Sequence, residues 1–204
     1  RPGHHWELLT TEPERHGITQ PGASSGYFAK EAGAFALAHP VSELALLGRK
    51  LYLFAHGAEI PRDTSIYEAR EGSPVLAALV APRPIDLPDA VLIPVALLGI
   101  AALWRDRRRL AAPLGLLATI AATCVIFFVT SRHRAPAVPL FALFAAGGAR
   151  PLLDWMRGRR AVAAVAMVLV VVLNVPTWET SQSYAGEADF YRGLAALDVR
   201  DSDA

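Results

Sequence analysis

The chain has 204 residues, of which 53% are hydrophobic, and its formal net charge is +1. This charge argues neither for nor against nucleic acid, but no basic segment is interleaved with aromatic residues, so nucleic acid is not expected as a partner. The single cysteine, Cys124, excludes a disulfide framework and a cysteine-based metal site. The apolar excess lies almost entirely after residue 87, and this segregation predicts an integral membrane protein.

The polar region, residues 1–87, begins with Arg and carries no signal-peptide pattern, so we expect an internal or C-terminal piece of a larger membrane protein. Residues 1–26 are loop-like, and residues 30–58 have helical periodicity, broken at His39-Pro40. The amphipathic stretch 41–56 suits a helix at the bilayer interface or against a bundle, although an ordinary surface helix explains the periodicity equally well. Residues 1–87 are therefore predicted to be an extracytoplasmic region of interfacial helices and loops.

Four apolar segments follow this polar region. They are predicted as membrane spans over residues 88–104, 110–130, 137–153 and 161–176. Only 110–130, which has 21 residues and no charge, reaches the roughly 20 residues that a span needs. The others are marginal, and a re-entrant third segment is the main alternative. The expected fold is an all-α integral membrane protein with about four transmembrane helices over 88–176.

Arginine counts in the short loops predict the orientation of these spans. Residues 105–109 hold four Arg and residues 157–160 hold three, whereas the intervening loop 131–136 holds two. The positive-inside rule then places the first two loops in the cytoplasm. Residues 1–87, the loop 131–136 and the tail 177–204 lie outside in this scheme. Residues 188–197 of the tail resemble the opening helix of a tetratricopeptide repeat, and a frayed amphipathic tail is the alternative.

The most informative motif connects the second and third segments. It runs Phe127-Phe128-Val129-Thr130-Ser131-Arg132-His133-Arg134-Ala135-Pro136-Ala137-Val138-Pro139. It resembles the aromatic-rich span followed by Ser-Arg-Tyr-Arg-x-Pro-x-x-Pro in bacterial GT-C superfamily glycosyltransferases related to protein O-mannosyltransferases and aminoarabinose transferase. His39-Pro40, Arg49-Lys50-Leu51, Glu59-Ile60-Pro61-Arg62 and Ser73-Pro74-Val75-Leu76 resemble the same family in order and spacing. His133 stands where that pattern usually has Tyr.

This resemblance implies a function and a location. The chain would be the C-terminal portion of a multi-pass glycosyltransferase in the bacterial inner (plasma) membrane. It would move a sugar from a polyprenyl-phosphate donor to a protein or glycan acceptor on the outer face, with the lipid bilayer as a further partner. The family's catalytic acidic residue lies in a first external loop that nothing in this chain matches. A non-catalytic membrane bundle or transporter segment, whose Arg loop is only a lipid anchor, is the alternative.

The predicted substrate-binding residues are Arg132, His133, Arg134, Glu59 and Arg62. Fixed guanidinium groups stabilise the charge that grows on a leaving phosphate, and the two prolines 136 and 139 favour an extended loop that presents both Arg side chains. Lipid headgroup anchoring is the alternative role for the Arg pair. Glu59 would bind the acceptor or pair with Arg62. No metal site and no cofactor are predicted, with a divalent cation at such a carboxylate left open.

Overall fold

In the computed structural model, the residues described are 11–60, 70, 73–79, 89–158, 160–177 and 180. The regular structure of these residues is helical. Residues 11–15 are helical. The α-helices with both ends described are α1 Pro21–Ala38, α2 Pro40–Ala55, α3 Pro74–Leu79, α4 Asp89–Ala102, α5 Ala111–Ile126, α6 Ser131–Arg134, α7 Val138–Gly158 and α8 Arg160–Val172. Short 3-10 turns occupy Trp104–Asp106 and Ala135–Ala137.

The contacts divide the chain into two units, one ending at Gly48 and one beginning at Arg49. In the first unit, the helix break predicted at His39-Pro40 is present. The N–H of His39 donates to the carbonyl of Phe35 at 2.8 Å and closes α1, and Pro40 begins α2. Proline is tolerated there because the first helical N–H groups have no partner within the helix. Helix α1 has no buried residue.

The second unit is built around the pair α4 and α7. A Cβ on Gly99 would overlap the carbonyl oxygen of Phe144, and a Cβ on Gly148 would overlap the Cα of Gly99. Backbone therefore meets backbone where the two helices cross, and only glycine allows this approach. Ile93 and Phe144, each about 1% exposed, are buried in the core of this unit.

The predicted membrane fold is wrong. Among the helices of the described residues, none is both long enough and apolar enough to cross a bilayer. The strongest predicted span, 110–130, forms a helix of only 16 residues, which at 1.5 Å per residue is about 24 Å long, against about 30 Å of hydrocarbon. Helices α4 and α8 have 14 and 13 residues, and the 21-residue α7 includes charged side chains, among them Asp154.

Several further expectations depended on those spans. The multi-pass location in the bacterial inner membrane is contradicted by the same finding. The proposed orientation and the membrane-bundle alternative lose their basis with it. The third apolar segment is one continuous helix, α7, rather than a re-entrant turn. The tail from 181 onward lies outside the described residues, so its likeness to a helical repeat stays a prediction.

Candidate functional site

The motif that carries the family resemblance is helical, not an extended loop. Ser131–Arg134 forms the single turn α6, a 3-10 turn follows, and α7 begins at Val138. The prediction of an extended loop is wrong because Pro136 falls in the first positions of a helical turn, where its missing N–H costs nothing. Residues two apart on a helix point in different directions, so Arg132 and Arg134 separate. Arg132 is exposed, whereas Arg134 is 2% exposed.

Buried Arg134 binds the backbone at the end of α2. Its Nη1 donates to the carbonyl of His56 and makes longer contacts of 3.4 and 3.5 Å with the carbonyls of Leu53 and Phe54. Its Nη2 donates to the carbonyl of Ala58 at 3.0 Å. These oxygens lie at and just beyond the last turn of α2, where helical carbonyls lack partners. Arg134 is thus engaged by protein acceptors, and a role for it in holding a substrate phosphate is not supported.

Two carboxylates lie beside this guanidinium. Asp89 Oδ2 is 3.5 Å and Glu59 Oε1 is 3.9 Å from Arg134 Nη2. Burial raises the pKa of Asp89; the Arg134 guanidinium opposes this rise, and the nearby Glu59 carboxylate adds to it. Glu59 therefore sits against Arg134, while its predicted partner Arg62 lies outside the described residues.

Besides Arg134, the side chains of His56 and Ser131 also hold residues 56–60 in place. The Nδ1 of His56 accepts from the N–H of Ala58 at 2.9 Å, so Nε2 carries the proton and donates to the carbonyl of Val175 at 2.9 Å. Ser131 pairs with Ile60: the N–H of Ile60 donates to Ser131 Oγ at 2.8 Å, and the N–H of Ser131 donates to the carbonyl of Ile60 at 3.0 Å. Glu59 and α6 are fixed next to each other by these bonds.

His133 lies at an apolar cavity on the other side of α6. The cavity has a volume of about 480 Å³ and is partly open to solvent. Its lining residues are Thr119, Ile120, Thr123, Cys124, Phe127, Phe128, His133 and Pro136. The volume falls within the roughly 300–1,000 Å³ typical of ligand pockets, which combine an apolar lining with a few polar groups.

Apart from His133, the polar residues of the wall either donate their hydroxyl hydrogen to the backbone or are buried. Thr119 Oγ1 donates to the carbonyl of Gly115, and Thr123 Oγ1 donates to that of Thr119, both at 2.9 Å. Cys124 is 2% exposed, and burial raises the pKa of its thiol while the Arg134 charge opposes that rise. The imidazole of His133 is therefore the main polar group that the wall offers to a ligand.

Lys50 binds the C-terminal end of α5, beside the cavity. Its Nζ donates to the carbonyls of Phe127 at 3.0 Å and Ile126 at 3.3 Å. A cation at a helix C-terminus satisfies the last carbonyls and interacts favourably with the helix dipole. The chain then leaves the helix at Phe127, and the extended Thr130 precedes α6.

Asp89, His56 and Lys50 belong to this arrangement but were not predicted from the sequence. A carboxylate in the first turn of an apolar segment was the available signal for Asp89. His56 and Lys50 carried no such signal, because the carbonyls to which they donate lie more than 70 residues away. No cluster of three or more His, Cys, Asp or Glu residues suited to a metal occurs in the described ranges.

Comparisons with known proteins identify no family for this chain. No protein-family model matches the chain, and no match was found among the curated proteins or among the solved structures. The likeness to GT-C glycosyltransferases therefore rests on the quoted residues alone and stays a prediction.

Proposed function

We propose that this chain is the donor-handling portion of a glycosyltransferase that takes a sugar from a polyprenyl-phosphate donor and passes it to a protein or glycan acceptor. The observation that carries the proposal is the apolar cavity of about 480 Å³ with His133 in its wall. An isoprenoid phosphate has the complementary form, an apolar chain ending in an anionic head. Burial of the chain supplies affinity in proportion to the apolar area removed from water.

The phosphate would be held by the polar residues that follow the aromatic wall. Arg132 is exposed and precedes His133 directly, and its planar guanidinium suits bidentate binding of phosphate. Arg134 has a different part in this scheme. It fixes the end of α2 and the Asp89 carboxylate, and so keeps α6 in position without touching the donor.

Binding of geranyl phosphate, measured by titration calorimetry, tests the proposal. The wild-type protein is expected to bind geranyl phosphate at least tenfold more tightly than geraniol or inorganic phosphate, because only geranyl phosphate combines a hydrocarbon chain with an anionic group. Arg132→Met is expected to remove most of the advantage over geraniol. Arg132→Lys retains the charge but not the planar fork, and is expected to fall between the two.

A matched pair of variants on α5 tests the cavity itself. Thr123→Trp places an indole in the cavity and is expected to weaken geranyl phosphate binding at least tenfold. Ala122→Trp is the control, since Ala122 is exposed on the same helix and does not line the cavity. Equal affinity in both variants, or equal wild-type affinity for geraniol and geranyl phosphate, contradicts the proposal.

A further inference from the structure

The Thr130 hydroxyl bonds a side chain instead of the helix backbone. It stands at the N-cap of α6 with extended backbone, and its carbonyl accepts from the N–H groups of His133 and Arg134 at 3.1 and 3.0 Å. An N-cap threonine normally accepts a backbone N–H with its side chain. Here the side chain makes no such bond, and Oγ1 lies 2.7 Å from Nδ1 of His133.

A second contact fixes the same imidazole. The ring of Phe128 meets that of His133 edge to face, with centroids 4.6 Å apart and an interplanar angle of 88°. With Nδ1 engaged by Thr130, Nε2 is the ring nitrogen left to bond a ligand, and the ring lines the cavity. Tautomer and orientation of a histidine are set by the partner of its other nitrogen.

We propose that Thr130 is a positioning residue. Its hydroxyl donates to Nδ1 of His133, so the neutral ring carries its proton on Nε2 and donates it to the anionic head of the ligand in the cavity. This inference rests on the proposed function for the identity of that head, a lipid phosphate, whose anionic oxygens accept hydrogen bonds and require a donor at Nε2. The Thr130–His133 pair thereby favours ionised ligands over uncharged molecules with the same hydrocarbon chain.

Two Thr130 variants separate this role from packing. Thr130→Val keeps the shape and removes the hydroxyl, whereas Thr130→Ser keeps the hydroxyl. Thr130→Val is expected to weaken geranyl phosphate binding by about tenfold or more, as the loss of a charge-assisted hydrogen bond does, and to change geraniol binding much less. Thr130→Ser is expected to bind like the wild type. Equal losses for both ligands in Thr130→Val would indicate a packing role and overturn the proposal.

The ring tautomer provides a readout that does not depend on ligand. In ¹⁵N NMR spectra of the free protein, His133 is expected to be mainly the Nε2–H tautomer in wild type and in Thr130→Ser, and a mixture in Thr130→Val. A wild-type Nδ1–H tautomer, or spectra unchanged by Thr130→Val, overturns the positioning role even if geranyl phosphate binds. Failure of wild type to bind geranyl phosphate instead refutes the proposed function, and with it the assignment of the head.

A double-mutant cycle completes the test. In a His133→Phe background, Thr130→Val is expected to have no further effect on geranyl phosphate affinity, because the hydroxyl acts through the imidazole. An effect of the same size in both backgrounds would show that Thr130 acts independently of His133, and would contradict the proposal.

Discussion

Replacing Arg134 by methionine is expected to lower the free energy of unfolding by about 3–5 kcal/mol. The side chain donates charge-assisted hydrogen bonds to the carbonyls of His56 and Ala58, and such bonds contribute about 1.5–3 kcal/mol each. Its removal also leaves the buried Asp89 carboxylate without its cation, 3.5 Å away. The methionine side chain keeps part of the apolar contact of the arginine stem, so the expected loss stays near the sum of the lower values for the two hydrogen bonds.

Urea denaturation followed by helical circular dichroism measures this loss, and Arg132→Met is the matched control. Arg132 is exposed, so its replacement is expected to change stability by no more than about 0.5 kcal/mol. Because whole domains have only about 5–15 kcal/mol of stability, Arg134→Lys provides a milder variant with an intermediate loss if Arg134→Met fails to fold. Equal midpoints and equal slopes for the Arg132 and Arg134 methionine variants would refute the reasoning.

Three further predictions, which use four substitutions, test other contacts of the second unit. Gly148→Ala is expected to lower the unfolding free energy by about 1–3 kcal/mol, because the new Cβ meets the backbone of Gly99. Gly115 has open space around it, so Gly115→Ala is expected to raise the unfolding free energy by about 0.5–1 kcal/mol in the same denaturation assay. Equal gains in both variants would contradict the close approach of the two helices. Burial raises the pKa of Asp89, so the folded state binds this proton more tightly than the unfolded chain, and ionisation of Asp89 lowers stability as pH rises from its ordinary value near 3.8 to the raised one. Asp89→Asn is expected to lack this decline, so that the difference in unfolding free energy between wild type and variant changes across that window; parallel curves would show that the pKa is not raised. Ser131→Ala leaves the N–H of Ile60 without its acceptor and is expected to cost about 1–3 kcal/mol by thermal denaturation, and an unchanged midpoint would show that this bond contributes nothing.

The apolar segments show how far local pattern extends. Their sequence indicates four helices, and helices α4, α5, α7 and α8 occupy them, just as the break at His39-Pro40 follows from proline chemistry. Segment length was less informative, because the apolar run 110–130 continues past the end of α5, where Lys50 Nζ donates to the carbonyl of Phe127. An apolar run long enough to span a bilayer is thus helical over only part of its length, and the end of the helix is bound by a side chain 76 residues away.

The two arginines of the motif show what local pattern does not contain. Arg132 and Arg134 have the same chemistry and nearly the same neighbours, yet one is exposed and the other is 2% exposed. Arg134 is buried because the end of α2 and the first turn of α4 pack on its side of α6. The cavity beside His133 is lined only by residues within 119–136, and it was missed for a different reason, because it requires the motif to form the helical turn α6 rather than the extended loop that was predicted.

The bonds at the end of α2 have a consequence for the order of folding. Arg134 reaches carbonyls 76 to 81 residues earlier in the chain, and Lys50 reaches forward by a similar distance. Contacts at such separation form late, since the closure of a long loop must precede them. The contacts at the end of α2 are therefore expected to form late. Pulse-labelled hydrogen exchange during refolding should protect the amide of Gly57, which donates to the carbonyl of Leu173 at 3.0 Å, after the amides of α4 and α7. On the ribosome, the carbonyls that Arg134 reaches lack their bonds to its guanidinium until residue 134 has been synthesised and has left the exit tunnel.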